Sequence, residues 1–385
     1  MIKYSVGIDV SKDSLHCCIA VIDQLQKVTF KSSRKFPNNN AGFNELLVWV
    51  DKHQKQKQLP VVFAMEATGV YYERLALHLF TAGCSLSVLL PNKAKKYLQA
   101  TGLKSKNDKI DAKGLARMGA EQSLELWQPM GLYFYQLRDL TRQYQSLQEY
   151  KTALTNQLHA LSYAMFETRL VKKQLMSQIK LFDKQIQELV IAIRKHLQEN
   201  EQVSKRVNGI CKIKGLGPLT VAVVLAETNG FALFDNSRQL VSYSGYDVVE
   251  NQSGKYKGKT RISKKGNSRI RRALHMPAFN MITYSQAPFV SLYERTLAKH
   301  GQKMKSYVAV QKKLLVLIYS LWKSNQDYDP DHGDKHTKEK EQVSSSLPAP
   351  KEPSPENENS ATKGATQGRH TSEISQSASS LQKQN

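Results

Sequence analysis

The sequence predicts an α/β N-terminal domain with a mixed sheet, a long helical coiled-coil middle segment and a mainly α-helical C-terminal domain. Residues 1–125 alternate short apolar runs with stretches of helical periodicity, which is typical of an α/β layout. Residues 132–208 contain no glycine or proline, which favours uninterrupted helix. After Pro330 few apolar residues remain, which predicts a disordered tail. The predicted domains are 1–125, 126–205 and 206–330, with the tail at 331–385.

The predicted order of elements in the first domain is three strands, then helix, strand, helix, strand and helix. We interpret the three strands as a meander formed by "YSVGIDV", "LHCCIAVID" and "KVTFKSSRKF". The next helix and the buried strand correspond to "NNNAGFNELLVWVDKH" and "LPVVFAME". A second helix, "YYERLALHLFTAG", is closed by Gly83. The strand "SLSVLL" ends at Pro91, and "DKIDAKGLARMGA" predicts the last helix.

The middle segment has a heptad-like apolar pattern. The apolar positions of its first half are Leu137, Leu140, Tyr144, Leu147, Leu154, Leu158 and Leu161. Those of its second half are Leu175, Ile179, Ile186, Leu189 and Ile193. The pattern predicts two long helices, which either pair as an antiparallel hairpin or form a coiled coil between two copies.

A glycine turn separates two helical stretches at the start of the C-terminal domain. The segment "VNGICKIKGLGPLTVAVVLAE" resembles a helix-hairpin-helix, in which backbone N–H groups at the turn contact a phosphate. An ordinary pair of packed helices with the same turn explains the pattern equally well.

The charge of the chain is strongly positive. Lysine and arginine number 56 against 33 acidic residues, a formal net charge of +23, which indicates a polyanionic partner such as nucleic acid. No acidic residue occurs between positions 251 and 293. We expect this segment to bind the phosphate backbone, the alternative being a solvated surface. The candidate nucleic-acid-binding residues are Lys255, Lys257, Lys259, Arg261, Lys264, Lys265, Arg269, Arg271 and Arg272.

The four cysteines suggest neither a disulfide framework nor a zinc site. Cys17, Cys18, Cys84 and Cys211 are scattered and form no C-x-x-C pair, so we expect a reducing compartment. The N-terminus lacks the apolar core of a signal peptide, and no apolar run reaches the length of a membrane span. We therefore expect no membrane partner.

Four acidic residues are candidates for metal binding. Asp9 lies within an apolar strand, where an unpaired charge is costly, and Glu66 ends a second apolar strand. Asp108 and Asp111 share one face of the last helix of the first domain. Strand ends and a helix start can meet at one edge of an α/β sheet, and four carboxylates there favour Mg²⁺ or Mn²⁺. Two such ions can promote phosphodiester transfer.

Each acid also has a purely structural interpretation. Asp9 could cap a turn, and Glu66 could be a surface acid at a strand end. Asp108 could cap the helix, with Asp111 placed favourably in its first turn. The combination of the four, in this order along the chain, favours the metal interpretation.

The chain resembles the insertion-sequence-110-type transposases, also called DEDD transposases. Their RuvC-like N-terminal domain is similar to "VGIDVSKDSLHCCI", "MEATGVYYERLALHL", "LPNKAKKYL" and "GLKSKNDKIDAKGLARMG". Their C-terminal transposase domain is similar to "IKGLGPLTVAVVLAE", "LVSYSGYDVVENQSGKYKGKTRISKKGNSRIRRALHMPA" and the terminal "DYDP". The resemblance covers residues 1 to about 330, and the tail has no counterpart.

The resemblance implies an RNase H-like (RuvC-like) fold and a composite catalytic site. The four family acids fall on Asp9, Glu66, Asp108 and Asp111, which would bind Mg²⁺ or Mn²⁺. The family's nucleophilic serine falls on Ser253, which would attack DNA and become linked to it through phosphate. The residues alone leave Ser244, Ser263 and Ser268 as alternatives, because they have similar surroundings.

The resemblance also implies function and partners. Members excise and insert a mobile element, and a structured guide RNA encoded by that element, the bridge RNA, directs them to donor and target DNA. They assemble as homo-oligomers, dimers or tetramers, through the helical segment, with acids and serine from different subunits. We accordingly expect a bacterial cytoplasmic protein associated with the nucleoid.

Two other functions fit the same residues. A RuvC-like structure-specific nuclease or junction resolvase would use the acids with water as nucleophile, and would leave free DNA ends. An architectural nucleic-acid-binding protein would use the basic residues only, its acids being structural.

Overall fold

The computed structural model describes residues 1–101, 107–254, 256–258 and 260–330, with only the backbone of Lys257. Contacts group Met1–Tyr328 into one unit and Asp329–Asn385 into another. The predicted tail at 331–385 lies outside the described residues, and so do Lys255 and Lys259.

A five-stranded mixed sheet forms the centre of the N-terminal domain. Its strands are β1 (Lys3–Val10), β2 (Ser14–Ile22), β3 (Val28–Pro37), β4 (Val61–Glu66) and β5 (Ser85–Leu89). They lie in the order β3-β2-β1-β4-β5. The first three strands are antiparallel, whereas β1, β4 and β5 are parallel. The predicted meander and mixed sheet are confirmed.

Four helices accompany the sheet: α1 (Asn40–His53), α2 (Glu73–Thr81), α3 (Pro91–Ala100) and α4 (Asp108–Glu121). The helix α3 is not among the predicted elements, because a proline after an apolar run indicates the end of a strand. Pro91 is in fact the first residue of the helix, where its fixed φ is favourable and its missing N–H costs nothing.

The helices cover both faces of the sheet. Residues of β1 that alternate along the strand, such as Val6 and Ile8, pack with Phe43 of α1 and Leu75 of α2. The opposite face, which carries Ser5, Gly7 and Asp9 on β1, is covered by α4. The two faces therefore differ: one holds the apolar core, and the other holds an acidic residue beside a helix start.

Gly7 lets α4 lie directly on β1. A Cβ atom at position 7 would overlap backbone atoms of Ala112 and Ala116 on α4. One turn further along, a Cβ at Gly119 would meet Ser5 on β1 and Ala64 on β4. The helix thus runs along β1 in the opposite direction to the strand, and its N-terminus points to the end of β1 that carries Asp9.

Two long helices, α5 (Leu132–Ser162) and α6 (Arg169–Glu199), form the middle segment. Tyr133 stacks on His196 with ring centroids 4.3 Å apart, and Tyr150 contacts Phe182 at 6.2 Å, so the helices are antiparallel neighbours. The helices are as predicted, and within one chain they form a hairpin. A coiled coil between two copies stays a prediction.

The C-terminal region is mainly helical. Its helices are α7 (Glu201–Ile210), α8 (Pro218–Thr228), α9 (Ser237–Tyr243), α10 (Ser268–Ala273), α11 (His275–Thr283), α12 (Ala287–His300) and α13 (Lys303–Ser324). Leu137, Ile193 and Leu197 from the base of the long hairpin pack into the same core. The glycine turn between α7 and α8 is covered from α11, where Asn280 donates a hydrogen bond to the Gly215 carbonyl at 3.2 Å.

Short strands form a hairpin between α9 and α10. These are β6 (Val248–Val249), β7 (Gln252–Ser253), β8 (Tyr256–Lys257) and β9 (Arg261–Ile262). β6 pairs with β9, and β7 pairs with β8. We refer to residues 248–262 as the basic hairpin.

Gly7→Ala should lower the free energy of unfolding by about 1 to 3 kcal/mol or more, because the added Cβ forces α4 away from β1. Gly131→Ala is the control: a Cβ there meets nothing within 4 Å, and the cost should stay below about 1 kcal/mol. The measurement is the urea dependence of unfolding for both variants. Equal unfolding midpoints would contradict the close contact of α4 with β1.

Candidate functional site

Three side chains with metal-ligating atoms converge at one end of β1. Asp9 of β1 lies directly opposite His16 of β2, and Asp108 is the first residue of α4. One ligand atom from each of these residues lies within 4.8 Å of the other two. Nδ1 of His16 is 3.2 Å from Oδ2 of Asp108. Two of the four predicted acids therefore meet, and a histidine joins them.

The start of α4 is fixed by its own cap. The side chain of Asn107 accepts a hydrogen bond from the backbone N–H of Ile110 at 2.9 Å. Asp108 and Asp111 both lie in the first turn, where the partial positive charge of the helix N-terminus stabilises carboxylates. The cap and the contact at Gly7 together determine where Asp108 lies.

Glu66 belongs to the same edge of the sheet as Asp9. The parallel register pairs Gly7 with Ala64 and Ile8 with Met65. One residue further along both strands, Glu66 is therefore the neighbour of Asp9. Because side chains alternate along a strand, Glu66 points to the face of Ala64, which α4 covers. Glu66 is not part of the 4.8 Å group around Asp9.

The first turn of α4 directs its two acids to different strands. Ala112 and Ala116, on the stripe of Asp108, pack with residues of β2. Leu115 and Met118, on the stripe of Asp111, pack with Ala64 of β4. Asp108 therefore belongs to the β2 side beside His16, and Asp111 to the β4 side, the side of Glu66. Asp111 is likewise outside the 4.8 Å group.

His16 is a site residue that the sequence analysis missed. A signal existed: "DVSKDSLH" is compatible with a tight hairpin in which Asp9 and His16 become cross-strand partners. Cys18, two residues further on the same strand, is outside the 4.8 Å group, and burial raises the pKa of its thiol.

The donor set fits a divalent cation. Carboxylate oxygens are preferred ligands of Mg²⁺ and Mn²⁺, and a neutral imidazole nitrogen is a common metal ligand. The side chain of Asp108 is 60% exposed, whereas that of His16 is 22% exposed. The group is thus open on the side of α4, from which an ion and a phosphate could approach.

Ser253 lies at the tip of the basic hairpin. It pairs with Tyr256, and the next residue, Gly254, has a φ of +54° that favours glycine. Ser253 is exposed. The acids lie on the sheet and on α4, and Ser253 lies on the basic hairpin, so the structure alone does not assign them to one site.

The alternative serines differ in accessibility. Ser244 is fully buried at 0% exposure, which argues against a role as nucleophile in this conformation. The hydroxyl of Ser263 accepts a hydrogen bond from the Lys265 N–H at 3.3 Å, and Ser268 begins α10. Ser263 and Ser268 therefore remain alternatives.

The predicted basic residues differ in their contacts within the protein and in their exposure. Arg271 donates hydrogen bonds to the carbonyls of Ser244, Gly266 and Lys264, and thereby holds the segment that precedes α10. Arg272 forms an ion pair with Glu149. Among the described side chains of this set, Arg261, Lys264, Lys265 and Arg272 are exposed. No side chain is described for Lys255, Lys257 and Lys259.

A buried carboxylate, Glu227, anchors this segment to the long hairpin. It is 2% exposed and accepts hydrogen bonds from Arg142 at 2.7 and 2.9 Å and from Asn267 at 2.7 Å. Arg269 lies 3.6 Å away. Burial alone would raise the pKa of Glu227, but hydrogen bonds from Arg142 and Asn267 and the charges of Arg142 and Arg269 hold it below its ordinary value. Glu227 is not among the predicted site residues, because it lies within an apolar helical segment.

Asn267 connects Glu227 to the start of α10. Its side-chain oxygen caps that helix by accepting from the N–H groups of Arg269 and Ile270, while its amide nitrogen donates to Glu227. The segment that follows the basic hairpin is therefore held to α5 and α8 through one carboxylate.

Within the part of the chain that the structure describes, no helix combines the length and the apolar character that a membrane span requires.

Two family models match the chain. A model of DEDD transposases of the IS110 type matches residues 6–166, and a model of the transposase IS116/IS110/IS902 family matches residues 208–294. Together they cover more than half of the chain, and they include all four predicted acids and Ser253.

Two relatives and one solved structure are similar to the chain. The Pilin gene-inverting proteins of Moraxella bovis and Moraxella lacunata are each 27% identical over 331 residues, which is 86% of this chain and 98% of the relative. The structure of RuvC from Thermus thermophilus covers 31% of this chain and 93% of its own, with 14% identity and a TM-score of 0.24, too low to assign the fold. On the family models and these full-length relatives, the chain belongs to the IS110 family of transposases, enzymes that cut and rejoin DNA.

Proposed function

We propose that this chain is a DNA recombinase with a divalent-metal centre on an RNase H-like sheet and a serine nucleophile on the basic hairpin. The observation that carries the proposal is the group formed by Asp9, His16 and Asp108 at the start of α4. Glu66 in the row of Asp9, and Asp111 one turn along the helix, support the same centre. The strand order β3-β2-β1-β4-β5 supports the RNase H-like, RuvC-like assignment.

The proposed centre would be held by Asp9, Glu66, Asp108 and Asp111. When bound there, Mg²⁺ or Mn²⁺ supplies positive charge that activates an attacking oxygen and stabilises a leaving oxygen of a phosphodiester. The protein fixes Asp9 within the sheet and Asp108 on a capped helix, so these ligands need little rearrangement. The exposed side of Asp108 leaves room for the DNA backbone.

Ser253 is the proposed nucleophile. Its Oγ would form a bond to phosphorus while the bond from phosphorus to one sugar oxygen breaks; the hydroxyl proton passes to a base, and the released sugar oxygen takes up a proton. The phosphoserine bond retains the energy of the phosphodiester, so a second sugar hydroxyl can reverse the step and rejoin DNA. Exposure at a hairpin tip and the open turn at Gly254 support this role.

DNA and a structured guide RNA are the proposed partners. The net charge of +23 and the exposed Arg261, Lys264 and Lys265 support binding of polyanions. The family resemblance supports the bridge RNA and a homo-oligomer, dimer or tetramer, in which one subunit supplies acids and another supplies Ser253. Sequencing the RNA that co-purifies with the protein would identify such a guide.

A junction-resolving nuclease is the second candidate. The observation that favours it is that Asp9, His16 and Asp108 form a group without a serine of the basic hairpin, so that the acids could act with water alone. The relatives named as pilin gene-inverting proteins favour recombination, because inversion requires that cut ends are rejoined.

Asp9→Asn, Glu66→Gln, Asp108→Asn and Asp111→Asn should each reduce strand exchange about a thousandfold or more, because each removes a charge that holds the metal. Folding should be retained, because each substitution replaces a carboxylate by an amide of nearly the same size and shape. Asp13→Asn, an exposed acid in the neighbouring turn, is the matched control. Normal recombination by any of the four variants would remove that residue from the centre.

Ser253→Ala should abolish the covalent protein–DNA adduct and leave DNA binding unchanged, because only the nucleophilic oxygen is lost. The adduct is measured with end-labelled DNA on a denaturing gel. Ser263→Ala and Ser268→Ala serve as controls and should form the adduct normally. An adduct formed by Ser253→Ala, or free ends without any adduct in the wild-type protein, would reject the proposed nucleophile.

Lys264→Gln combined with Lys265→Gln should weaken nucleic-acid binding and lower the slope of log K against log salt by about 1.8, since each phosphate contact contributes about 0.9. Lys184→Gln on α6 is the control, because this lysine is 77% exposed and is distant from Lys264 and Lys265 in the sequence. Binding is measured by fluorescence anisotropy at several salt concentrations. A slope equal to that of the wild-type protein would exclude these two lysines from the contact surface.

A further inference from the structure

We propose that His16 is a direct ligand of the divalent cation, together with Asp9 and Asp108, and that it shifts the preference of the centre from Mg²⁺ towards Mn²⁺ and Co²⁺. This inference rests on the proposed metal centre and adds a nitrogen ligand to a set that the sequence assigns to carboxylates alone.

The spacing of the ligand atoms suits one shared ion. Ligand atoms about 2.0 to 2.2 Å from a cation are about 3 Å apart when adjacent and about 4.2 Å apart when opposite. The observed 3.2 Å between His16 Nδ1 and Asp108 Oδ2 corresponds to adjacent ligands. The ligand atoms of all three residues lie within 4.8 Å of one another, so Asp9 can belong to the same coordination sphere.

The backbone holds His16 in place for this role. β2 lies between β1 and β3, where His16 pairs with Asp9 on one side and with Lys35 on the other. Cross-strand partners have Cβ atoms about 4.5 to 5.5 Å apart, so the imidazole is positioned beside Asp9 before any ion binds. Asp108 completes the group from α4, and His16 has only two side-chain torsions to fix.

An imidazole ligand changes which ions bind well. Mg²⁺ strongly prefers oxygen ligands, whereas imidazole nitrogen binds the later divalent metals increasingly well along the series from Mn²⁺ to Co²⁺ and Ni²⁺. A centre made only of carboxylates shows this preference more weakly. His16 therefore predicts tighter binding of Mn²⁺ and Co²⁺ relative to Mg²⁺.

The test measures metal binding by the full-length protein without DNA. Mn²⁺ is titrated by electron paramagnetic resonance, with Mg²⁺ as competitor, for the wild type, His16→Ala, His16→Asp and the control His300→Ala, an exposed histidine on α12. Pulsed measurements on bound Mn²⁺ detect a directly coordinated nitrogen. Circular dichroism establishes that each variant is folded, and His16→Asp, which restores an oxygen ligand, serves if His16→Ala does not fold.

We expect nitrogen coupling in the wild type and in His300→Ala, and none in the His16 variants. Mn²⁺ affinity should fall about tenfold or more in His16→Ala, with a smaller change for Mg²⁺. In His16→Asp, the ratio of Mn²⁺ to Mg²⁺ affinity should fall by a similar factor.

Three outcomes would overturn the inference. Equal losses of Mn²⁺ and Mg²⁺ affinity without nitrogen coupling in the wild type would mean that His16 only orients Asp108. Unchanged binding in both His16 variants, with binding lost in Asp9→Asn, would reject His16 and leave the proposed function intact. Absence of Mn²⁺ binding by the wild-type protein would remove the inference together with the metal-dependent function.

Discussion

The direct contact between the backbones of α4 and β1 at Gly7 is the constraint on which the proposed chemistry depends. Because position 7 has no side chain, the helix lies on the strand itself, and its N-terminus reaches the end of β1 that carries Asp9. The same placement brings Asp108 to His16 and puts Asp111 on the side of β4. A helix held farther from the sheet would separate Asp108 from Asp9 and His16.

In the C-terminal region, hydrogen bonds and ion pairs hold a strongly basic segment in a defined conformation. Glu227 neutralises part of that charge from within the core, and it connects Arg142 of the long hairpin to Asn267 at the start of α10. Arg271 holds the preceding loop through three carbonyl groups. Ser253 itself is exposed at the tip of the basic hairpin.

The sequence predicted the sheet domain well, because the relevant signals are local. Alternating apolar runs predicted the element order β-β-β-α-β-α-β, and isolated acids in apolar strands made Asp9 and Glu66 candidates for the site. The missed features depend on context. Pro91 can end a strand or begin a helix, and the sequence does not distinguish the two. His16 lies beside Asp9 only because of the register of β2 against β1. The partners of Glu227 come from α5 and α10, which are distant from it along the chain. Arg271, predicted to bind nucleic acid, makes hydrogen bonds that are visible only once the loop is folded.

The central claim is that α4 and the sheet edge hold a cation between Asp9 and Asp108. Anomalous diffraction from crystals soaked in Mn²⁺ tests it most directly, because it locates the ion without reference to activity. The account predicts an anomalous peak within coordination distance, about 2.2 Å, of carboxylate oxygens of Asp9 and Asp108. A peak elsewhere, or none at this edge under saturating Mn²⁺, would contradict it.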